Sequence, residues 1–158
     1  MTSSVGAIFA PDHRAVADEL LRVCRPGGTI GMINFTPEGH AAGFFGALAP
    51  HAPAPAPDAQ PPVLWGSEEH VRDLFGDRVA SLEMVRKTYV ERHPGGPRGY
   101  CDFFYETFGP LIAIRAGAED PEALDRDFLA FANRANQGPP GGPAEIPYEY
   151  LRVVARRR

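Results

Sequence analysis

The sequence predicts an α/β fold organised around a parallel strand–helix–strand unit, and three observations predict it. Residues 3–9 (SSVGAIF) and 29–35 (TIGMINF) are short, largely apolar runs of strand length. Between them Val16, Leu20, Val23 and Cys24 recur at helical spacing and form one apolar stripe. Later segments continue to alternate between helical and extended patterns. Strands joined in this way lie parallel, with a right-handed crossover.

Each element has its own signal. Asp12 is an N-cap candidate for the first helix, with His13 expected as an exposed first-turn residue. Pro26, Gly27 and Gly28 end that helix, through a missing donor and a left-handed backbone. The run 29–35 is apolar on both sides apart from Asn34, as in a central strand covered on both faces. Residues 37–48 form a weaker helix carrying Phe44, Phe45 and Leu48. An Ala/Pro tract at about 51–62 reads as an extended, exposed linker. Ser67 caps a third helix, with Glu68 and Glu69 in its positive first turn and Val71, Leu74 and Phe75 on its apolar face. Residues 79–92 alternate as a long strand, with Leu82, Met84, Thr88 and Val90 on one parity. Tyr100, Phe103, Phe104, Tyr105 and Phe108 crowd into a helical stretch. Asp120-Pro121 opens a last helix with Leu124, Phe128, Phe131 and Ala132 as its stripe. Residues 146–155 form a terminal strand, flanked by Glu145 and Glu149 as solvent-facing carboxylates. There is no internal repeat.

Composition narrows the function classes. The 158 residues suffice for one domain, expected over residues 1–158 with a helical insertion at about 97–137. Hydrophobic residues make up 44% and charged residues 23%, as in a soluble globular protein. The net charge of −4 argues against nucleic-acid binding. The basic cluster 156–158 reads as a solvated tail. Cys24 and Cys101 show no metal spacing and read as buried thiols of a reducing compartment, so no metal site is expected. With no signal peptide and no apolar run of membrane-spanning length, the expectation is a cytoplasmic protein with no membrane contact.

Residues 9–39 (FAPDHRAVADELLRVCRPGGTIGMINFTPEG) carry a resemblance. They look like the middle of a class I S-adenosylmethionine-dependent methyltransferase, in which a strand, an amphipathic helix, an L-[RK]-P-G-G turn and an apolar strand follow one another. Here the turn has one extra residue, with Cys24-Arg25 before Pro26. Leu64-Trp65-Gly66, Leu74-Phe75-Gly76 and Tyr148-Glu149-Tyr150-Leu151 match later pieces in order, so the likeness runs over essentially the whole chain. It implies a partial Rossmann-like methyltransferase fold, with strands equivalent to the fourth, fifth, sixth and seventh, the last antiparallel, and a helical insertion before that last strand.

The chain departs from the family pattern at its cofactor loop. Such enzymes hold the cofactor on a glycine-rich loop, close to ExGxGxG, after their first strand, and on an acidic residue after their second. Neither is present: the paired glycines follow a helix (Gly27-Gly28) or lie in loops (Gly95-Gly96, Gly141-Gly142). By analogy the chain begins inside the fourth strand, and Met1 is an internal methionine, a miscalled start, or the start of a shortened product. A complete relative would use S-adenosylmethionine, whereas this chain alone is expected to bind none. The family sheet order, 3-2-1-4-5-7-6, would then leave one edge of the fourth strand open and one sheet face bare. A homo-oligomer, a strand-swapped dimer, or recruitment of the helices of about 100–132 as cover follows as an expectation.

The resemblance assigns residual cofactor contacts to Ser4, Val5, Gly6 and Phe9. It assigns an acceptor pocket to Asn34, Phe35, Trp65, Tyr100 and Phe104, since ligands bind beyond the carboxyl ends of such strands. No catalytic residue is identified; Asp12 and His13 are adjacent in sequence and do not face each other on a helix. The function implied is methyl transfer to a small-molecule acceptor by a family member that is truncated and inactive alone. Its alternative is a non-enzymatic remnant acting as an oligomerising or ligand-binding module. An unrelated α+β binding domain is a third reading.

Overall fold

The computed structural model describes residues 1–158 and contains four strands and six α-helices. Strand β1 is Thr2–Ser4, and the chain then tightens into a 3-10 turn at Ala7–Phe9 rather than continuing extended. The apolar run 5–9 is thus a turn that buries Ile8, not strand core.

Helix α1 (His13–Val23) starts where Asp12 accepts a hydrogen bond from the Ala15 amide at 2.9 Å. Its buried face is His13, Ala17 and Leu21, with Cys24 at the cap. The expected stripe is corrected accordingly: Val16 and Leu20 are half-buried and Val23 is exposed. Two stripes of similar apolarity compete on this helix, and the inner one contains a histidine, which hides it from an apolar count. The turn that follows needs its glycines. Gly27 has φ 68°, and a Cβ on Gly28 would meet the Arg25 carbonyl oxygen and Cys24 Sγ at 2.7 Å. The basic tail is not simply solvated. Arg157 donates to the carbonyls of Arg22 and Cys24, and Arg158 donates to the Val79 carbonyl. It therefore satisfies carbonyls that α1 leaves open at its end.

Strand β2 (Thr29–Phe35) pairs parallel with β1 and antiparallel with β4 (Ala144–Arg157), and the sheet order is β1-β2-β4-β3, with β3 at Val79–His93. The register sets Ile30, Met32 and Asn34 opposite Ala155, Val153 and Leu151, and all six are buried. The alternate residues Ile33 and Phe35 and their partners Arg152 and Tyr150 are only half-buried. Expected cover on both faces therefore holds fully for one face.

Helix α2 is His40–Leu48, and α3 is Glu68–Phe75, capped by Ser67. Between them the Ala/Pro tract is exposed from Pro53 to Asp58, but Gln60 is pinned: its amide donates to the Pro11 carbonyl and its side chain accepts from the His13 amide. A 3-10 turn at Pro62–Gly66 packs on β2, and α3 packs on that turn. The approach is closest at Gly66, where a Cβ would lie 2.0 Å from the Phe35 carbonyl oxygen. Helices α4 (Gly96–Thr107), α5 (Gly109–Gly117) and α6 (Pro121–Ala135) lie between β3 and β4 in sequence. Asp120 caps α6 by accepting from the Ala123 amide.

Contacts group the chain into two compact units. Unit 1 is Met1–Gly39, Pro55–Thr88 and Glu149–Arg158; unit 2 is His40–Ala54 and Tyr89–Tyr148. Unit 1 is centred on Ile30, Trp65, Phe75 and Leu151, and unit 2 on Phe44, Tyr100, Leu111 and Phe128.

The two glycine environments predict opposite outcomes. Gly66→Ala should destabilise the protein by at least about 2 kcal/mol, because the new methyl group meets backbone that cannot yield. Gly46→Ala, in α2 with open space around it, should stabilise it by about 0.5–1 kcal/mol. Urea unfolding of both variants checks the pair.

Candidate functional site

The carboxyl end of β1 carries the expected cofactor contacts. Ser4 ends the strand, and Val5 has φ 57°, a left-handed conformation for a β-branched residue. Such a backbone costs about 1–3 kcal/mol and persists only where surrounding structure holds it. Here the Val5 amide donates to the Ile33 carbonyl at 3.0 Å, and Ser3 Oγ accepts from the Ala7 amide at 3.1 Å. Gly6 opens the 3-10 turn, and Phe9 is 49% exposed at its end.

Behind this end of the sheet unit 1 buries a polar cluster. His13, expected as exposed, is 0% exposed. Its Nδ1 lies 2.9 Å from His70 Nε2, and its ring centroid is 5.2 Å from that of Trp65. Burial lowers the His13 pKa from 6.5 to about 4, helped by the neighbouring His70 and opposed by Asp12. Burial also lowers His70. Trp65 and Asn34 are likewise 0% exposed. His13 Nε2, Trp65 Nε1 and both amide atoms of Asn34 have no hydrogen-bond partner within the protein. Leaving a buried polar group unpaired costs about 1–3 kcal/mol, so these four atoms set His13, Trp65 and Asn34 apart from the apolar core of unit 1. Phe35, next along β2, points to the opposite, half-buried face.

Beyond β2 the backbone is held by charge. Thr36 is fully buried and donates from Oγ1 to the Glu149 carboxylate at 2.8 Å. Glu149 also accepts from Arg86 at 3.1 Å, and Arg86 reaches Glu38 at 3.0 Å and Glu68 at 3.5 Å. Glu149 and Glu145, expected to face solvent, are half-buried and paired; Glu145 accepts from Arg92 at 3.0 Å.

Tyr100 and Phe104 lie in the aromatic core of unit 2. Tyr100 is buried, with its hydroxyl 2.5 Å from that of Tyr148, and its ring is 4.7 Å from Phe104 between centroids. Burial pushes both phenols far up, so both stay protonated. His93 packs edge-on against Tyr100 at 5.2 Å and contacts the Glu91 carboxylate at 3.2 Å. Cys101 is buried, with its thiol pushed up to about 12 by desolvation, so it is no nucleophile. The structure thus gathers Trp65 with His13 and His70 in unit 1, where Asn34 is also buried, and Tyr100 and Phe104 with Tyr148 and His93 in unit 2. His70, His93 and Tyr148 were missed. The signal for His70 was its place one turn before Leu74 on the apolar face of α3. No group of three or more His, Cys, Asp or Glu side chains is placed to hold a metal ion, and no helix is long and apolar enough to cross a membrane.

Comparison with known proteins adds a fold. No family model matches the chain. It is 38% identical over 160 residues to an uncharacterized protein of Mycobacterium tuberculosis, Rv1405c, covering 99% of this chain and 57% of that protein. A second uncharacterized protein of that species, Rv1403c, is 39% identical over 123 residues, covering 77% of this chain and 45% of the relative. The chain therefore spans about half the length of these relatives. Among solved structures, the YcgJ protein of Bacillus subtilis superposes over 99% of this chain and 62% of its own, at 14% identity and a TM-score of 0.55. This is a likeness of fold. A candidate methyltransferase of Bacillus halodurans covers 98% of the chain and 62% of its own at 17% identity, with a TM-score of 0.46.

The histidine pair predicts acid sensitivity. Folded His13 stays neutral until about pH 4, whereas the unfolded residue titrates near 6.5. The unfolded state therefore binds more protons in that window. Stability is fully present above 6.5 and is lost as pH falls towards 4, with a slope approaching about 1.4 kcal/mol per pH unit for this group. Urea unfolding across that range should show the slope in the native sequence and a shallower one in His13→Asn.

Proposed function

We propose that the chain is the acceptor-side half of a class I S-adenosylmethionine-dependent methyltransferase, acting on a small molecule. The observation that carries this reading is the sheet itself: order β1-β2-β4-β3, parallel across β1–β2 and antiparallel across β2–β4. In the family the fourth, fifth, seventh and sixth strands stand in that order, with the seventh antiparallel, which supports the equivalence that the motifs of residues 9–39 independently suggest. The strained Val5 at the carboxyl end of β1 adds support, because strain of this kind concentrates at functional sites.

The residues present do not by themselves fit the cofactor. Ser4, Val5, Gly6 and Phe9 form one flank; the Ser3 hydroxyl is committed to the turn, and the glycine pair that does lead from a strand into a helix, Gly95-Gly96 between β3 and α4, lies in no ExGxGxG pattern. The cofactor cradle is therefore assigned to a segment outside this chain, and the chain alone is inactive. Bound elsewhere in that longer assembly, the cofactor would supply an electrophilic methyl group. What this chain contributes is acceptor positioning, from Asn34, Phe35 and Trp65 in unit 1; alignment of this kind supplies much of the rate in displacement chemistry. The short β1 edge and the outer face of α1, where Val16, Leu20 and Val23 line a shallow apolar groove of about 500 Å³, suit association with that segment or with a second copy. A non-enzymatic remnant is the second reading, favoured by the same missing cradle.

Two measurements test the proposal. Calorimetric titration should show S-adenosylmethionine binding to the complete M. tuberculosis relative and no binding tighter than about millimolar to this chain. Failure of the relative to bind would overturn the methyltransferase reading; tight binding by the chain would overturn the division between halves. Light scattering of the chain alone should give a dimer or larger species, and a monomer would remove the proposed role of the β1 edge and the α1 face.

A further inference from the structure

Unit 2 contains a second feature that methyl transfer does not use. A cavity of about 580 Å³ opens among the end of α2 and its following turn, the end of α5 and the start of α6. That volume is in the range of small-molecule sites. Its walls are mostly apolar, from Pro50, Pro53, Ala113 and Ile114, and its polar side chains are His51, Glu119 and Asp120.

Those polar groups share one character. Asp127 Oδ2 lies 2.8 Å from His51 Nε2, and the His51 side chain is only 12% exposed. With the ring neutral, the carboxylate accepts from Nε2–H and leaves the Nδ1 lone pair as an acceptor. Asp120 is occupied as the α6 cap, with Arg126 at 3.8 Å from its other oxygen. Glu119 makes no ion pair and adds a full negative charge. No lysine or arginine lines the cavity. The lining therefore offers acceptors and negative charge over an apolar floor. An ammonium has three donors and no acceptor, which complements these side chains, whereas a carboxylate would meet like charge from Glu119 and Asp120.

We propose that this cavity binds a small apolar molecule carrying a protonated amine, with Glu119 supplying the charge and His51, oriented by Asp127, accepting a hydrogen bond. The inference does not rest on methyl transfer, and its test is read without S-adenosylmethionine.

The probe is 2-phenylethylamine, compared with 2-phenylethanol and 3-phenylpropanoate, titrated into the full chain at neutral pH and followed by NMR. Saturable shifts are expected at the Ala113, Ile114 and Ala123 amides and at the His51 ring. The amine should bind about three- to fivefold more tightly than the alcohol, as one partly exposed ion pair allows, and the acid should bind more weakly than either. Glu119→Gln, at an exposed position, should abolish the preference for the amine without loss of fold. Asp127→Asn, which presents a donor to Nε2 in one amide orientation, should weaken amine binding more than alcohol binding. Absence of saturable shifts at these positions, or equal binding of amine and acid, would overturn the proposal.

Discussion

Strand β2 is hydrogen-bonded along both edges, parallel to β1 and antiparallel to β4, and unit 1 is arranged around that double pairing. Strand side chains alternate with period two, so a slip of one residue would exchange the apolar set Ile30, Met32, Ala155 and Val153 for Ile33, Arg152 and their neighbours. The buried face holds the register because it has no charge, and the other face carries Arg152. The register also delivers the β2 terminus. Phe35 and Thr36 lie against Gly66, and Thr36 is clamped by Glu149 through its amide and its hydroxyl. Glu149 is placed by β4, so the same pairing that builds the sheet fixes the backbone where β2 ends.

The polar cluster beneath that face is the least self-sufficient part of unit 1. An apolar substitution at Asn34 would remove two unpaired atoms at no loss of internal hydrogen bonds, whereas one at His13 would also break its contact with His70. Stability alone therefore does not explain Asn34. By contrast the Tyr100–Tyr148 contact in unit 2 is satisfied on both sides and reads as structure. Contrast between an unsatisfied cluster and a satisfied one is the physical ground for setting His13, Asn34, Trp65 and His70 above the aromatic core as candidates for contact with a ligand or ordered water.

Much of the fold was legible because local chemistry and burial agree. Asp12, Ser67 and Asp120 each cap the helix that follows, and the α6 stripe Leu124, Phe128, Phe131 and Ala132 is buried as its periodicity requires. Failures came where tertiary contacts override local pattern. The 5–9 run looks like strand, but a left-handed Val5 ends β1 early. Periodicity on α1 points to the outer stripe, because His13 and Ala17 do not count as strongly apolar, although both are fully buried. The arginines at 156–158 looked like a charged tail, because nothing local shows that α1 ends with carbonyls in reach of Arg157. The candidate site was legible as residue types at strand ends; the His13–His70 pair spans 57 positions and has no local signature.

The open surfaces of unit 1 share one origin. Strand β1 has only three residues, which limits the unpaired backbone at the sheet edge and the hazard of edge-to-edge pairing. Helix α1 follows the same strand and carries Val16, Leu20 and Val23 on its outer face. A helix needs one apolar face to pack, and α1 already has one in His13, Ala17 and Leu21. A second apolar stripe adds nothing to that packing and costs hydration of exposed apolar surface. That stripe follows, in sequence, the strand that ends the sheet, so the proposed association with a further segment or a second copy would bury the apolar surface that the packing of α1 within unit 1 leaves uncovered.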